Sequence, residues 1–339
     1  MIDPNLLAIL KSPDDNTSLC LLPGENKLIS KTGIEYDIVD GIPILLPHVE
    51  DTMENTIFSR DAANIYKIDP YILNSLGLTK GEIDKIRNII NNKTSIDPVV
   101  SFMIGATSGN AYKSLQGKIN KYIIPNFPLM DGKSKCLLDI GSNWGRWCIS
   151  ASRAGFNPIG LDPQIGALLA AKRVCKQLGI SAHFVCGDAR KLPFFGGCFD
   201  MVFSYSVIQH LSYEDAETVS REISQVLKSG GNSYIQMPTK IGFKGFLHRI
   251  KCGFNEAKNF DVRYWSLADL RKRFGKNIGN TKFDTDCFFG IGVQFSDIRY
   301  VKSIYKPFFV ISELLRKASC IFKPITFFAD SVYVKSVKN

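Results

Sequence analysis

The nine cysteines include no C-x-x-C pair, and the four histidines (48, 183, 210 and 248) lie nowhere at metal spacing from a cysteine. A bound metal is therefore not expected. The thiols are scattered, and several fall within apolar runs, so reduced and buried cysteines of a cytoplasmic protein are the expected state. No uncharged apolar stretch reaches the roughly 18 residues that a membrane span needs. The opening MIDPNLLAILKSPDD carries an acid at position 3 and no small-residue cleavage site, unlike a secretory signal. Also missing is G-x-G-x-x-G, the turn that brings backbone N–H groups and a helix N-terminus to a pyrophosphate. What is present is ordinary globular material: 339 residues, 45% hydrophobic and 22% charged, enough for one large core or two smaller ones.

Charge is unevenly spread. Residues 1–239 hold 23 Lys and Arg against 24 Asp and Glu, whereas residues 240–339 hold 19 against 8. A basic face of this kind suits nucleic acid, an anionic membrane surface or an acidic substrate, or is simply a solvated surface.

The informative stretch is CLLDIGSNWGRWCISASRAGFNPIGLDP, Cys136 to Pro163. A short apolar run ends at Asp139, Gly141 and Gly145 bracket a turn, Trp147–Ala154 reads as a small-residue helix, and Ile159–Leu161 is a second strand ending at Asp162. This is a βαβ unit of a doubly wound sheet, whose ligands lie beyond the carboxyl ends of the strands. Asp139 before the turn disfavours a phosphate and favours a ligand with a cationic end. Asp162, placed after the second strand, is positioned to accept hydrogen bonds from ribose hydroxyls.

A ribose with a cationic tail and no phosphate describes S-adenosylmethionine, and D-I-G-x-x-x-G resembles the first motif of class I S-adenosylmethionine-dependent methyltransferases, the ubiquinone-biosynthesis type being the nearest broad group. Three further marks carry the resemblance: GDARKLPF (Gly187–Phe194) after a strand at His183–Cys186, FDMVFSYSVIQHL (Phe199–Leu211), and the Lys228–Gly231 turn before a strand at Ser233–Met237. The resemblance implies an α/β, doubly wound, seven-stranded Rossmann-like sheet. It implies a cofactor site of Asp139, Gly141, Ser142, Asn143, Gly145, Asp162, Pro163, Asp188, Ala189 and Ser204, with Asp188 on the adenine amino group. Ser204–Leu211 would lie over the reacting methyl. A hydroxyl or amine acceptor must lose a proton, and His210 is the candidate base, with Tyr205 and Gln209 as acceptor contacts. Of Trp144 and Trp147, one is a candidate cover for the cofactor tail.

Residues 1–48 read as a helix at Leu6–Leu10 and short strands at Leu19–Leu22, Lys27–Ser30 and Glu35–Ile38, closing with DGIPILLP. The pattern resembles the zinc-ribbon-like activator module of certain tRNA and protein methyltransferases, with Lys11–Asp15 and Ser30–Gly33 where relatives carry cysteine pairs. A metal-free remnant this small must lean on the rest of the chain. Residues 49–131 read as a helical cap, with helices at Glu54–Lys67, Lys80–Asn91 and Ala111–Tyr122 and a small-residue loop at Gly105–Gly109. Residues 132–339 are the methyltransferase domain, with a basic insertion around 240–280.

Beyond strand five, helices are expected at Ile241–Cys252, Ser266–Phe274 and Phe308–Phe322. Strand six is expected at Lys282–Phe289, and strand seven at Ser331–Ser336, antiparallel at the sheet edge. DVRYWSLADL (Asp261–Leu270) resembles a segment of small-molecule and glycan methyltransferases. The aromatic and basic stripe of Phe308–Phe322 is assigned to a core face in preference to a peripheral membrane contact.

Three functions remain open. The favoured one is O-methylation of a small molecule, glycan or lipid-linked acceptor. The second is an rRNA or tRNA base methyltransferase, disfavoured by Ser204-Tyr205-Ser206-Val207 where base-clamping enzymes carry N-P-P-[YF]. The third, a non-catalytic scaffold, is disfavoured because Asp139, Gly141, Gly145, Asp162 and Asp188 are intact.

Overall fold

Asp3 Oδ1 accepts the backbone N–H groups of Asn5 and Leu6 at 2.8 and 3.2 Å, and Pro4 suits a first helical position, so α1 runs Pro4–Ile9. The computed structural model describes residues 2–48, 58–92, 94–107, 110–129, 132–253, 261–292, 294–300 and 302–339. They pack as two units, Met1–Thr107 with Lys113–Cys198, and Ser108–Tyr112 with Phe199–Asn339.

In the first unit, β1 (Leu19–Leu21), β2 (Lys27–Ser30), β3 (Glu35–Val39) and β4 (Ile42–Leu45) form an antiparallel meander. Asp40 and Gly41, with φ of 49° and 75°, make the tight β3–β4 turn. A carboxylate ties the loops at the cysteine-lacking positions together: Asp15 Oδ1 accepts from Thr17 N at 2.9 Å, and Oδ2 from Ser30 Oγ at 2.7 Å and from Thr32 Oγ1. Among the described residues no cluster of His, Cys, Asp and Glu fits a metal ion. β4 then pairs parallel with β7 (His183–Gly187), Ile44 opposite Cys186 and Leu45 opposite Gly187. The N-terminal strands thus continue the sheet of this unit, whose order is β1-β2-β3-β4-β7 followed by β6 (Asn157–Asp162) and β5 (Cys136–Ile140).

The helical region departs from expectation in three places. Of the helix expected over Glu54–Lys67, residues 54–57 lie outside the described residues, residues 58–60 are helical, Asp61 interrupts the run, and one further turn, α2, covers Ala62–Ile65. α3 (Lys80–Asn91) forms as expected, with Thr79 and Glu82 in a capping box. The helix expected at Ala111–Tyr122 is replaced by a 3-10 turn at Asn110–Leu115, and an unforeseen helix, α4, runs Pro98–Thr107. Asp97 Oδ1 caps α4 at the N–H groups of Val99 and Val100. Its residues, PVVSFMIGAT, are apolar on every side, so no periodic signal marks it. The expected loop at Gly105–Gly109 begins inside this helix, and Ser108 and Gly109 lie outside the described residues.

The core of the first unit follows: β5 (Cys136–Ile140), α5 (Arg146–Arg153), β6 (Asn157–Asp162), α6 (Ile165–Leu178), then β7. β5, β6 and β7 are parallel, and Ile140 pairs with Leu161 and Asp162 with Cys186, so all three carboxyl ends share one edge.

The second unit contains β8 (Phe199–Tyr205), α7 (Tyr213–Val226), β9 (Leu227–Pro238), α8 (Phe243–Lys251), α9 (Leu267–Asn277), β10 (Gly279–Cys287), α10 (Lys306–Ile321) and β11 (Ser331–Lys338). Its order is β8-β9-β11-β10, with β8 and β9 parallel and β11 antiparallel to both neighbours. The last strand is therefore inserted, not at the edge as expected; β10 takes the outer place. Eleven strands lie among the described residues, four of them from the N-terminal meander, which, expected as a separate module, instead extends the sheet of the first unit.

Candidate functional site

The turn after β5 is shaped by backbone hydrogen bonds and by two side chains, Asn143 and Asp162. Gly141 N and Ser142 N both donate to Leu161 O, at 2.8 and 3.0 Å. Gly141, Asn143 and Gly145 adopt left-handed φ of 75°, 47° and 76°, conformations that glycine and asparagine tolerate best. Asn143 Oδ1 accepts Trp144 N at 2.9 Å, which stabilises the strained residue locally. A Cβ on Gly145 would meet Ala171 Cβ at 3.0 Å, so the turn lies tight against α6.

Two buried carboxylates face this turn. Asp162 Oδ2 accepts Asn143 N and Oδ1 accepts Gln164 N, each at 2.9 Å. Burial pushes its pKa up to about 6 against the pull of those two N–H groups. Asp139 Oδ2 accepts the Cys148 thiol at 3.3 Å. Burial pushes Asp139 up to about 7; Cys148 and Arg146 oppose the shift, and the charge of Asp162 adds to it. Ser142 Oγ is buried with no partner, and only the absence of a side chain at Gly160 leaves it room, since a Cβ there would stand 2.6 Å away. A partnerless hydroxyl, a backbone-lined turn and two carboxylates fit a ligand rich in hydrogen-bond donors with a cationic end, and do not fit a phosphate.

The structure brings Asp139, Gly141, Ser142, Asn143, Gly145 and Asp162 together. Pro163 O accepts Ser59 Oγ at 2.7 Å and the Cys186 thiol at 3.4 Å. Asp188 and Ala189 follow β7 directly, and the Asp188 carboxylate is forked by Arg190, Nη2 to Oδ2 at 2.7 Å and Nε to Oδ1 at 3.1 Å. Trp144 is fully buried and donates Nε1–H to Thr107 Oγ1 at 2.9 Å; Trp147 is buried beside Phe127. Two residues that sequence reasoning missed cap α6, which lacks a cap of its own: Ile165 N donates to Ser59 Oγ at 3.1 Å and Gly166 N to Ser75 Oγ at 2.9 Å. The single sequence signal is Gly166, where a Cβ would lie 2.5 Å from Ser75 Oγ.

Ser204, Tyr205, Gln209 and His210 belong to the second unit, at the end of β8 and in the 3-10 turn Ile208–His210. Gln209 Nε2 donates to Ser206 Oγ at 2.8 Å and stands 3.2 Å from His210 Nε2. Arg263 pins this loop through its backbone N–H on Gln209 O and its Nη1 on His210 O, both at 2.8 Å. The R-Y-W segment thus has a structural account: Arg263 fixes the loop, Trp265 is buried, and Ser266 caps α9. A second missed group is Asp286, whose Oδ2 accepts Ser331 Oγ at 2.7 Å and Tyr205 Oη and Gln236 Nε2 at 3.3 Å. Burial raises its pKa, and the neighbouring Gln236 Oε1 is buried without a partner.

Residues 137–231 match the family model described as a methyltransferase domain. The biotin biosynthesis bifunctional protein BioHC of Cellvibrio japonicus (strain Ueda107) is 31% identical over 160 residues, 47% of this chain and 30% of that protein. A UPF0434 protein of Chelativorans sp. (strain BNC1) is 45% identical over 47 residues, 14% of this chain and 66% of its own length. Among solved structures, phosphoethanolamine N-methyltransferase 2 of Haemonchus contortus in complex with S-adenosyl-L-methionine is 19% identical, covering 70% of this chain and 59% of that one at a TM-score of 0.43. The chain spans less than a third of the length of BioHC.

Proposed function

We propose, from the match of residues 137–231 to a methyltransferase domain, that the protein transfers a methyl group from S-adenosylmethionine to a hydroxyl of a small-molecule, glycan or lipid-linked acceptor. The observation that carries the reading is Asp162, a buried carboxylate held by one N–H on each oxygen at the carboxyl end of β6. Its remaining lone pairs suit two ribose hydroxyls. In this reading Asp139 faces the cationic tail, Gly141–Gly145 line it with backbone, Asp188 and Ala189 take the adenine, and Ser204 completes the cofactor contacts. The bound donor supplies an already activated methyl on a sulfonium. The chain's own work is then to align the acceptor and to take its proton. His210 is the base, and Tyr205 and Gln209 hold the acceptor.

The division into residues 1–48, 49–131 and 132–339 is part of the same proposal. The first segment is a ribbon-like remnant, and the 47-residue match to the UPF0434 protein is of its size. The excess of 19 Lys and Arg over 8 Asp and Glu in the last hundred residues supports the second reading, an RNA base as acceptor.

The test is methyl-labelled S-adenosylmethionine with an extract of cells lacking the gene, split into RNA, protein, lipid and polysaccharide. Label in lipid or sugar supports the first reading. Label that ribonuclease removes replaces it with the second.

A further inference from the structure

An amphipathic helix of a folded domain normally turns its apolar stripe to the core. Two helices of the second unit do the reverse. On α8, Phe243, Phe246, Leu247 and Ile250 recur at one-face spacing, and they are 59%, 48%, 49% and 48% exposed. The helix packs by its other side, at buried Gly245, where a Cβ would fall 2.4 Å from Thr239 O and 2.9 Å from the Tyr264 ring. On α10, Phe308, Ile311, Leu314 and Ile321 are 49%, 45%, 61% and 91% exposed. Its inner face, apart from Phe309, is polar and satisfied. Ser312 Oγ bonds both the N–H and the C=O of Phe288, at 3.0 and 3.1 Å. Arg316 forks onto Glu313 at 2.7 and 2.8 Å. Turning either helix over would bury charge and strand these polar groups, so the outward stripes are what the packing dictates.

The two stripes form one surface. Phe289 bridges them, 5.9 Å from Phe243 and 6.0 Å from Phe308 between ring centroids. Asp330 fixes the junction: Oδ1 caps α8 at Lys244 N (2.5 Å) and Gly245 N (3.2 Å), and Oδ2 accepts Gly290 N at 3.1 Å. The charge around the patch is predominantly positive, although Lys240, Arg316 and Lys323 pair with Asp269, Glu313 and Asp284. Residues 240–253 carry Lys240, Lys244, Arg249 and Lys251 and no acid, and residues 302–328 carry five Lys and Arg against Glu313 alone. Among the described residues no helix is long and apolar enough to cross a membrane.

We propose that this face docks on an anionic bilayer surface, with the aromatic and aliphatic stripes in the headgroup–acyl boundary and the lysines among the lipid phosphates. A contiguous exposed apolar patch of this kind marks a binding surface. The excess of cations around it selects an anionic interface over an apolar protein groove. The assignment does not depend on methyl transfer, and its test reads binding alone.

The full chain is sedimented with phosphatidylcholine vesicles containing about one-third phosphatidylglycerol, and with phosphatidylcholine alone. The expected result is partition onto the anionic vesicles that weakens about tenfold on neutral vesicles or in high salt. The double variants F246S/L247S and F308S/L314S should each lose about tenfold in partition. Ile68→Ser, a control at an 86% exposed residue of the first unit, should bind like the parent, and near-ultraviolet dichroism checks that each variant is folded. Failure to bind anionic vesicles overturns the proposal. So does binding that both stripe variants retain, which is attraction by charge alone. Concentration-dependent self-association abolished by the same variants would assign the face to a second copy instead.

Discussion

Asn143 and Asp162 lie 19 residues apart in the chain, and the backbone N–H of the first donates to Oδ2 of the second at 2.9 Å. The bond ties the glycine turn after β5 to the end of β6. It also orients a carboxylate whose burial opposes its ionisation, so the site holds a charge that the fold alone disfavours.

Replacing that charge separates function from stability. Asp162→Asn keeps the shape and loses the anion. We expect S-adenosylmethionine affinity, read by calorimetry, to fall about a hundredfold, as two hydrogen bonds to a charged group imply. The denaturation midpoint at pH 7.5 should shift little, because relief of the buried charge is offset by the amide NH2 that then faces one of the two backbone N–H donors. Unchanged affinity would remove Asp162 from the cofactor site.

The pH dependence has a definite sign. Asp139 and Asp162 titrate near 7 and near 6 in the folded chain, above their ordinary value of 3.8. Between 3.8 and those values the folded state binds more protons than the unfolded one, so their contribution to stability is lost as pH rises through 6 and 7. A cationic ligand prefers both carboxylates ionised, so its binding should strengthen over the same window and release protons. Calorimetry in buffers of different ionisation enthalpy reads that release, and a buffer-independent enthalpy at pH 6.5 would contradict it.

Gly160 is a steric requirement. A Cβ there would stand 2.6 Å from Ser142 Oγ and 2.7 Å from the Phe184 ring. Gly160→Ala should cost about 1–3 kcal/mol in urea denaturation, the range for overpacking, and weaken the cofactor site with it. A variant as stable as the parent would show that the turn yields freely.

The proton acceptor can be assigned by comparing two variants. His210→Ala should lower turnover about a hundredfold with cofactor affinity unchanged, and Asp286→Asn should leave turnover within a few-fold. The reverse pattern would transfer the role of base to Asp286, whose raised pKa suits it equally.

Local chemistry made much of this protein legible in its sequence. The strand end at Asp162, the left-handed turn at Gly141 and Gly145, the capping box at Thr79 and Glu82 and the Ser266 cap each depend on residues close together in the chain. Tertiary structure decided the rest. The helix Pro98–Thr107 gave no signal because it is apolar all round. Ser59 and Ser75 cap a helix 106 and 91 residues away, and Cys148 meets Asp139 only once α5 folds back on β5. The stripes of α8 and α10 show the division most plainly. Their spacing was written in the sequence, and the α10 stripe was assigned to the core. Periodicity fixes which residues share a face. It does not say which way the face points; here a glycine contact and a satisfied polar inner side turned both stripes outward.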